Sequence, residues 1–188
     1  MSAPAVSPLF DHGIGAFTPE ELDRLERYCD ALPLQKAPLG GHATTERYEQ
    51  IRKTQVSPIP QTPDIIWLYE RLADIVRTFN SRSYQFELKG FSEVPQFMVY
   101  HHTEESHFDW HIDQGTLPPR KLSLTLQLTD PARYEGGELQ FNGGAISSAP
   151  KNRGVANAFP SYVLHRVTPV TKGTRKAIVA WISGPNFK

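Results

Sequence analysis

The sequence predicts a mainly β protein: a double-sheet jelly roll with two helices packed on one outer face. Three observations lead there. Apolar residues recur at helical spacing only in the first part of the chain. From Tyr84 onward, short runs rich in aromatic and β-branched residues alternate with turn residues. About eight such runs follow the two helical stretches, which suits two packed sheets better than alternating βαβ units. The expected organisation is one domain over 1–188, with a helical part and loop over 1–83 and the jelly-roll core over 84–188.

Residues 1–9 lack the charged start and apolar run of a signal peptide and read as a short tail. Thr18-Pro19-Glu20-Glu21 is a helix start: Thr18 caps, Pro19 suits the first helical position, and Glu21 completes a capping box. Leu22, Leu25, Tyr28, Cys29 and Leu32 follow at helical spacing, and Pro33 stops the run. Residues 34–61, with Pro38, Gly40, Gly41, Pro58 and Pro60, read as a loop holding an extended piece from Ile51 to Val56. The segment from Leu34 to Gln55 has little to bury and is expected to act as a lid, with Arg47, Glu49, Arg52 and Lys53 near the entrance. A second helix is expected to begin at Thr62-Pro63-Asp64 and to bury Ile65, Leu68, Leu72, Ile75, Val76 and Phe79. Strands are expected near 84–89, 95–101, 107–112, 121–128, 137–141, 154–159, 164–170 and 175–182. Asn142-Gly143-Gly144 and Lys172-Gly173 have the composition of hairpin turns.

Composition narrows the function classes. Twenty basic residues balance twenty acidic ones, so nothing in the net charge favours a nucleic-acid partner. The single cysteine, Cys29, excludes an intramolecular disulfide, which fits a cytoplasmic location; its helical setting among apolar neighbours makes it a small core residue. No stretch is long and apolar enough to suggest a membrane-spanning helix. Oligomeric state leaves no mark on the sequence.

The chemistry concentrates in Trp110-His111-Ile112-Asp113. Alternate residues of a strand share a face, so His111 and Asp113 project together. An imidazole and a carboxylate on one face are two ligands of a divalent metal, and His165, opening a later strand, is the best third. Two histidines and a carboxylate on one face of an octahedron leave three positions open, the arrangement of non-haem Fe(II) oxygenases. A zinc hydrolase shares these ligand types but usually keeps one open position. Ten residues after His165 comes Arg175, whose planar fork matches a carboxylate with two parallel hydrogen bonds. Such a partner is needed when a metal chelates one end of a keto-diacid.

These pieces, in order, resemble the 2-oxoglutarate/Fe(II)-dependent dioxygenases of the prolyl-4-hydroxylase-like, PKHD-type family. The matching segments are Tyr100; His111-Ile112-Asp113; Arg120-Lys121-Leu122-Ser123; Tyr134-Glu135-Gly136-Gly137-Glu138-Leu139; and Phe159-Pro160-Ser161. The last runs from His165-Arg166-Val167-Thr168-Pro169-Val170 through Gly173-Thr174-Arg175 to Trp181. An isolated H-x-D is weak; followed by GGEL, H-R-V-x-P-V and G-x-R at these spacings, it is specific. The resemblance covers nearly all of the chain after about residue 45, where the stretch from Ile51-Arg52-Lys53 through Gln96 is similar to the family's helical extension.

It implies a double-stranded β-helix core of cupin-like form and a hydroxylase using Fe(II), 2-oxoglutarate and O₂, with ascorbate as reductant. His111, Asp113 and His165 are then the metal ligands, Arg175 binds the distal carboxylate of 2-oxoglutarate, and Tyr100 adds a hydrogen bond to it. Tyr100 lies eleven residues before His111, and the stretch between them lacks the family's Gly-rich turn. The implied substrate is a prolyl or other amino-acid side chain in a peptide or protein, giving succinate and CO₂; a free amino acid or small metabolite is the alternative.

Other readings are weaker. A non-catalytic metal- or 2-oxoglutarate-binding module would be expected to have lost a ligand or the arginine. Ser161 lies in nothing like a nucleophile elbow, so a hydrolase using Asp109 or Asp130 is remote. Asp113 itself argues against a halogenase, in which the carboxylate gives way to halide. His12, His42, His101 and His102 read as structural, and His107, an even step from His111, as lining the site without ligating. Trp181 and Phe159 read as core residues, and Gly136-Gly137 as turn geometry.

Overall fold

The computed structural model describes residues 8–37, 50–113 and 119–187. Helix α1 spans Pro19–Asp30 and opens with the expected reciprocal cap: the Glu21 amide donates to the Thr18 hydroxyl (3.2 Å), and the Thr18 amide donates to the Glu21 carboxylate (2.9 Å). Such a cap is worth about 1 kcal/mol. Helix α2 spans Ile66–Phe79. It starts later than expected because the Thr62 hydroxyl bonds the Asp64 side chain, while the Ile65 amide closes a turn onto the Thr62 carbonyl (3.1 Å).

The strands are β1 (Asp11–Gly13), β2 (Gln35–Lys36), β3 (Arg52–Lys53), β4 (Gln55–Pro58), β5 (Gly90–Phe91), β6 (Gln96–His101) and β7 (His107–His111). They continue with β8 (Arg120–Gln127), β9 (Tyr134–Gly136), β10 (Leu139–Asn142), β11 (Ile146–Ser148), β12 (Ala156–Pro160), β13 (His165–Val167) and β14 (Val170–Ser183). The major sheet runs β1-β12-β8-β14-β6-β4-β2, with β5 and β9 pairing along β14. The minor sheet runs β11-β10-β13-β7-β3. Every pairing is antiparallel, so the two sheets form the expected jelly roll.

The period-2 alternation of the major sheet builds two cores. Phe97 and Val99, Leu122, Leu124 and Leu126, and Ile178, Ala180 and Ile182 point outward and pack under α1 and α2. Their alternates, Met98 and Tyr100, Phe159, and Trp181, point between the sheets. On β8 the inward set is polar: Ser123, Thr125 and Gln127 are buried inside the barrel. Unpaired buried polar groups are costly, so this stripe signals a site rather than a dry core.

Several expected elements differ. No strand forms over 84–89. The chain makes a π-helical turn at Asn80–Tyr84, and Gln85 takes a left-handed φ of 54°. The Asn80 amide then brackets Phe86, donating to its carbonyl and accepting from its N–H, both at 2.9 Å, in place of a partner strand. The Tyr84-Phe86-Leu88 alternation comes from side-chain packing on the helix-side core.

The expected strand 164–170 is broken at Thr168-Pro169, where the chain leaves the minor sheet and enters the major one. Lys172-Gly173 is not a hairpin turn but lies within β14, where Gly173 (φ +68°) passes over β9. A side chain there would meet the Arg133 carbonyl at 2.1 Å. Arg175 therefore sits mid-strand, opposite Tyr100, rather than opening a strand. The Asn142-Gly143-Gly144 turn joins β10 to β11 as expected.

The two ends of the 34–55 segment pair with each other, Gln35 with Val56 and Lys36 with Gln55, and Ala37 is buried between the sheets. The lid expected between these ends, with Arg47 and Glu49, lies outside the described residues, as does His42. Arg52 and Lys53 are described and form β3. Among the described residues, no helix is long and apolar enough to cross a membrane.

Candidate active site

Strand β7 ends at His111, and its ladder partner on β13 is His165, directly opposite. Asp113 falls just past the strand, but its amide donates to the Ser161 carbonyl (2.9 Å), so the extended course and the shared face persist. One ligand atom from each of His111, Asp113 and His165 lies within 4.8 Å of the others. The Nε2 of His111 is 3.8 Å from Asp113 Oδ1, and that of His165 is 3.6 Å from Oδ2.

Both imidazoles are oriented by backbone. His111 Nδ1 lies 2.7 Å from the Asp109 carbonyl and His165 Nδ1 2.9 Å from the Val163 carbonyl. A carbonyl only accepts, so each Nδ1 carries a proton and each ring is turned with its Nε2 toward Asp113. Burial, helped by the neighbouring His165, holds His111 well below its usual range, so it stays a neutral ligand. Burial pulls Asp113 upward, but His165, His111 and the Ser123 hydroxyl outweigh it and keep the carboxylate ionised. The Trp181 indole N–H adds to that effect yet makes no hydrogen bond of normal geometry.

Arg175 lies in the same chamber. Met98, Leu139, Phe159, Val167, Val179 and Trp181 supply its apolar walls. Arg175 is only 4% exposed, and among the described residues no carboxylate pairs with it. Its guanidinium sits 5.0 Å from the centre of the Tyr100 ring and lies near the Tyr134 phenol, which accepts from Gln127 Nε2 at 3.1 Å. A buried cation without an anion is expensive, and the natural remedy is an anionic ligand. Gly137 admits this arginine: a Cβ there would meet Arg175 Cδ at 2.9 Å.

The structure thus brings His111, Asp113, His165, Arg175 and Tyr100 to one chamber. His107 is not at the metal cluster: its ring nitrogens lie 2.9 Å from the Glu105 carbonyl and 3.0 Å from that of Gln50. His101 and His102 stack on each other at the surface. Phe159 and Trp181, expected as plain core, line the chamber, and Phe159 sits 4.5 Å from the His165 ring. Ser123 and Ser161, which the sequence does not mark as site residues, are both buried beside it: Ser123 heads the polar alternation Ser123-Thr125-Gln127 of β8, and Ser161 directly follows the end of β12.

Residues 95–183 match the family model described as the 2OG-Fe(II) oxygenase superfamily. Over these residues, which hold the barrel strands from β6 to β14, the chain is similar to this superfamily. Its curated relatives are PKHD-type hydroxylases. That of Colwellia psychrerythraea is 41% identical over 92 residues, covering 46% of this chain and 41% of that protein. The chain spans less than half the length of the curated relatives it matches. Two solved oxygenase structures share the fold. A Pseudomonas putida prolyl-4-hydroxylase superposes with a TM-score of 0.75 at 18% identity, over 94% of this chain and 93% of that one. A Trichoplax adhaerens prolyl hydroxylase, in complex with a hypoxia inducible factor oxygen degradation domain peptide fragment, gives 0.76 at 16% identity, over 93% and 83%.

The donor set suits Fe(II): two imidazoles and one carboxylate. The buried Arg175, without a carboxylate partner among the described residues, likewise suits the distal carboxylate of 2-oxoglutarate.

Proposed function

We propose that this protein is a 2-oxoglutarate- and O₂-dependent hydroxylase of a prolyl or other amino-acid side chain in a peptide or protein. His111, Asp113 and His165 hold Fe(II) through Nε2, one carboxylate oxygen and Nε2. Arg175 binds the C5 carboxylate of 2-oxoglutarate through its guanidinium fork, and Tyr100, whose ring lies against that guanidinium, lines the co-substrate's place. The bound metal supplies oxygen activation coupled to loss of CO₂ from 2-oxoglutarate, leaving succinate. The residues of the chain do the rest: the backbone carbonyls of Asp109 and Val163 accept from Nδ1 and so turn both Nε2 atoms toward the metal position, and the apolar walls exclude water from the reacting centre.

The observation that carries the reading is a metal-ligand cluster sharing one chamber with a buried arginine that has no anionic partner among the described residues. A peptide substrate is favoured by the Trichoplax neighbour, whose partner is a peptide fragment. Ascorbate as reductant and a cytoplasmic location belong to the same proposal.

Incubation with Fe(II), ascorbate and 2-oxoglutarate under air, with a panel of proline-containing peptides and free amino acids, tests it. The expected result is succinate together with a mass gain of one oxygen on a peptide. Oxygen appearing on free amino acids alone would redirect the substrate class. Absence of 2-oxoglutarate binding would overturn the reading.

A further inference from the structure

Asp113 is held by more than its place in the chain. Its Oδ2 accepts a hydrogen bond from the Ser123 hydroxyl at 2.7 Å, and the Ser123 oxygen lies 3.0 Å from the hydroxyl of Ser161. Both serines are fully buried. An ionised carboxylate only accepts, so the Ser123 proton must point at Asp113. The Ser123 oxygen is then the acceptor for Ser161, and the direction of the whole relay is settled. Backbone bonds hold the same three residues together: the Asp113 amide donates to the Ser161 carbonyl (2.9 Å), and the Ser161 amide donates to the Lys121 carbonyl (3.0 Å).

The two oxygens of Asp113 are therefore unequal. Each oxygen faces one imidazole, Oδ2 that of His165 (3.6 Å) and Oδ1 that of His111 (3.8 Å), but Oδ2 is engaged by Ser123 while Oδ1 makes no hydrogen bond among the described residues. We infer that Ser123, itself oriented by Ser161, is a positioning residue that makes Asp113 a one-oxygen metal ligand through Oδ1. This rests on the metal-binding reading above. A carboxylate free to turn can offer both oxygens to the metal, and each extra bond takes a position that a chelating co-substrate and O₂ need. The relay thus protects two things at once: the affinity for metal, because the ligand is pre-oriented, and the number of positions left open. Packing alone gives no reason for two hydroxyls here, since a buried hydroxyl without a partner is a liability.

The test uses the full-length protein, Ser123→Ala and Ser161→Ala, with the metal-free melting temperature as a fold control. Mn(II) affinity is read by quenching of tryptophan fluorescence. 2-Oxoglutarate affinity is read by calorimetry at saturating Mn(II), without turnover. Ser123→Ala is expected to lose about 10- to 100-fold in Mn(II) affinity, and Ser161→Ala less. Ser123→Ala is also expected to weaken 2-oxoglutarate binding even when metal is saturating. A merely structural role would lower the melting temperature and leave both affinities in place.

The inference is overturned if folded Ser123→Ala keeps both affinities within about twofold of wild type, a shift too small for a lost orienting partner. Should Ser123→Ala fail to fold, Ser161→Ala decides: unchanged Mn(II) affinity there overturns the relay. If the wild-type protein binds no Mn(II), the metal-site reading falls. If it binds and the serine variants match it, this inference alone falls.

Discussion

His111 and His165 face each other across the β7–β13 ladder, with ring centroids 4.1 Å apart and Asp113 closing the third corner. Strand pairing over a long stretch of chain thus sets the spacing of the two imidazoles. A single truncation is expected to empty the site. His111→Ala should abolish succinate formation. It should also remove the stabilisation by metal that wild type shows, about 2.7 kcal/mol at a hundredfold excess over Kd. Thermal melts with Mn(II) and with a chelator check this; an equal metal-induced rise in Tm for His111→Ala would count against the site.

Arg175 contributes a fork, not merely a charge. Arg175→Lys keeps the charge and loses the second parallel hydrogen bond, which at about 1.5–3 kcal/mol corresponds to a roughly 10- to 150-fold weaker 2-oxoglutarate affinity. Mn(II) affinity should stay near that of wild type. Calorimetry with each ligand separates the two effects, and unchanged 2-oxoglutarate binding in Arg175→Ala would refute the assignment.

Gly137 has φ +63°, and a Cβ there would press on Arg175 Cδ at 2.9 Å. Gly137→Ala is therefore expected to cost about 1–2 kcal/mol of stability from backbone strain. It should also raise the 2-oxoglutarate requirement by displacing the arginine. Gly144, with φ +104° and open space around it, is the control: Gly144→Ala should show strain without the change in 2-oxoglutarate affinity.

Asp11 ties β1 to the π-helical turn, accepting from Arg82 Nε (2.9 Å), Arg82 Nη2 (2.6 Å) and the Ser83 hydroxyl. Burial pulls its pKa up, but the Ser83 and Arg82 hydrogen bonds outweigh that and hold it below the usual carboxylate value. A depressed folded-state pKa means stability that is full above the unfolded value, about 3.9, and is lost as pH falls through the folded one. Asp11→Asn should cost at most about 1 kcal/mol at neutral pH, since Arg82 is half exposed. The gap to wild type should close in acid. Denaturant melts from pH 7 to pH 2.5 measure it, and a gap that widens on acidification would contradict the assignment.

Local pattern alone determined much of this protein. The Thr18–Glu21 cap, the apolar faces of both helices and most strands of the barrel follow from short-range periodicity and turn chemistry. The pairing of His111 with Asp113 follows from alternation along an extended chain. The order of H-x-D, GGEL, His165 and Arg175 marked the family. Tertiary structure decided what depends on partners distant in sequence. His165 meets His111 because two strands pair, and no spacing encodes that register. Ser123 and Ser161 converge on Asp113 from separate elements. The alternation at 84–89 looked like a strand, but the Asn80 side chain occupies the Phe86 backbone groups that a strand would share with its neighbour. Lys172-Gly173 had turn composition, yet the hydrogen bonds from β9 carry β14 straight through it. The reason is the same in each case: a backbone group bonds the partner that packing brings to it, and sequence alone records only what lies close along the chain.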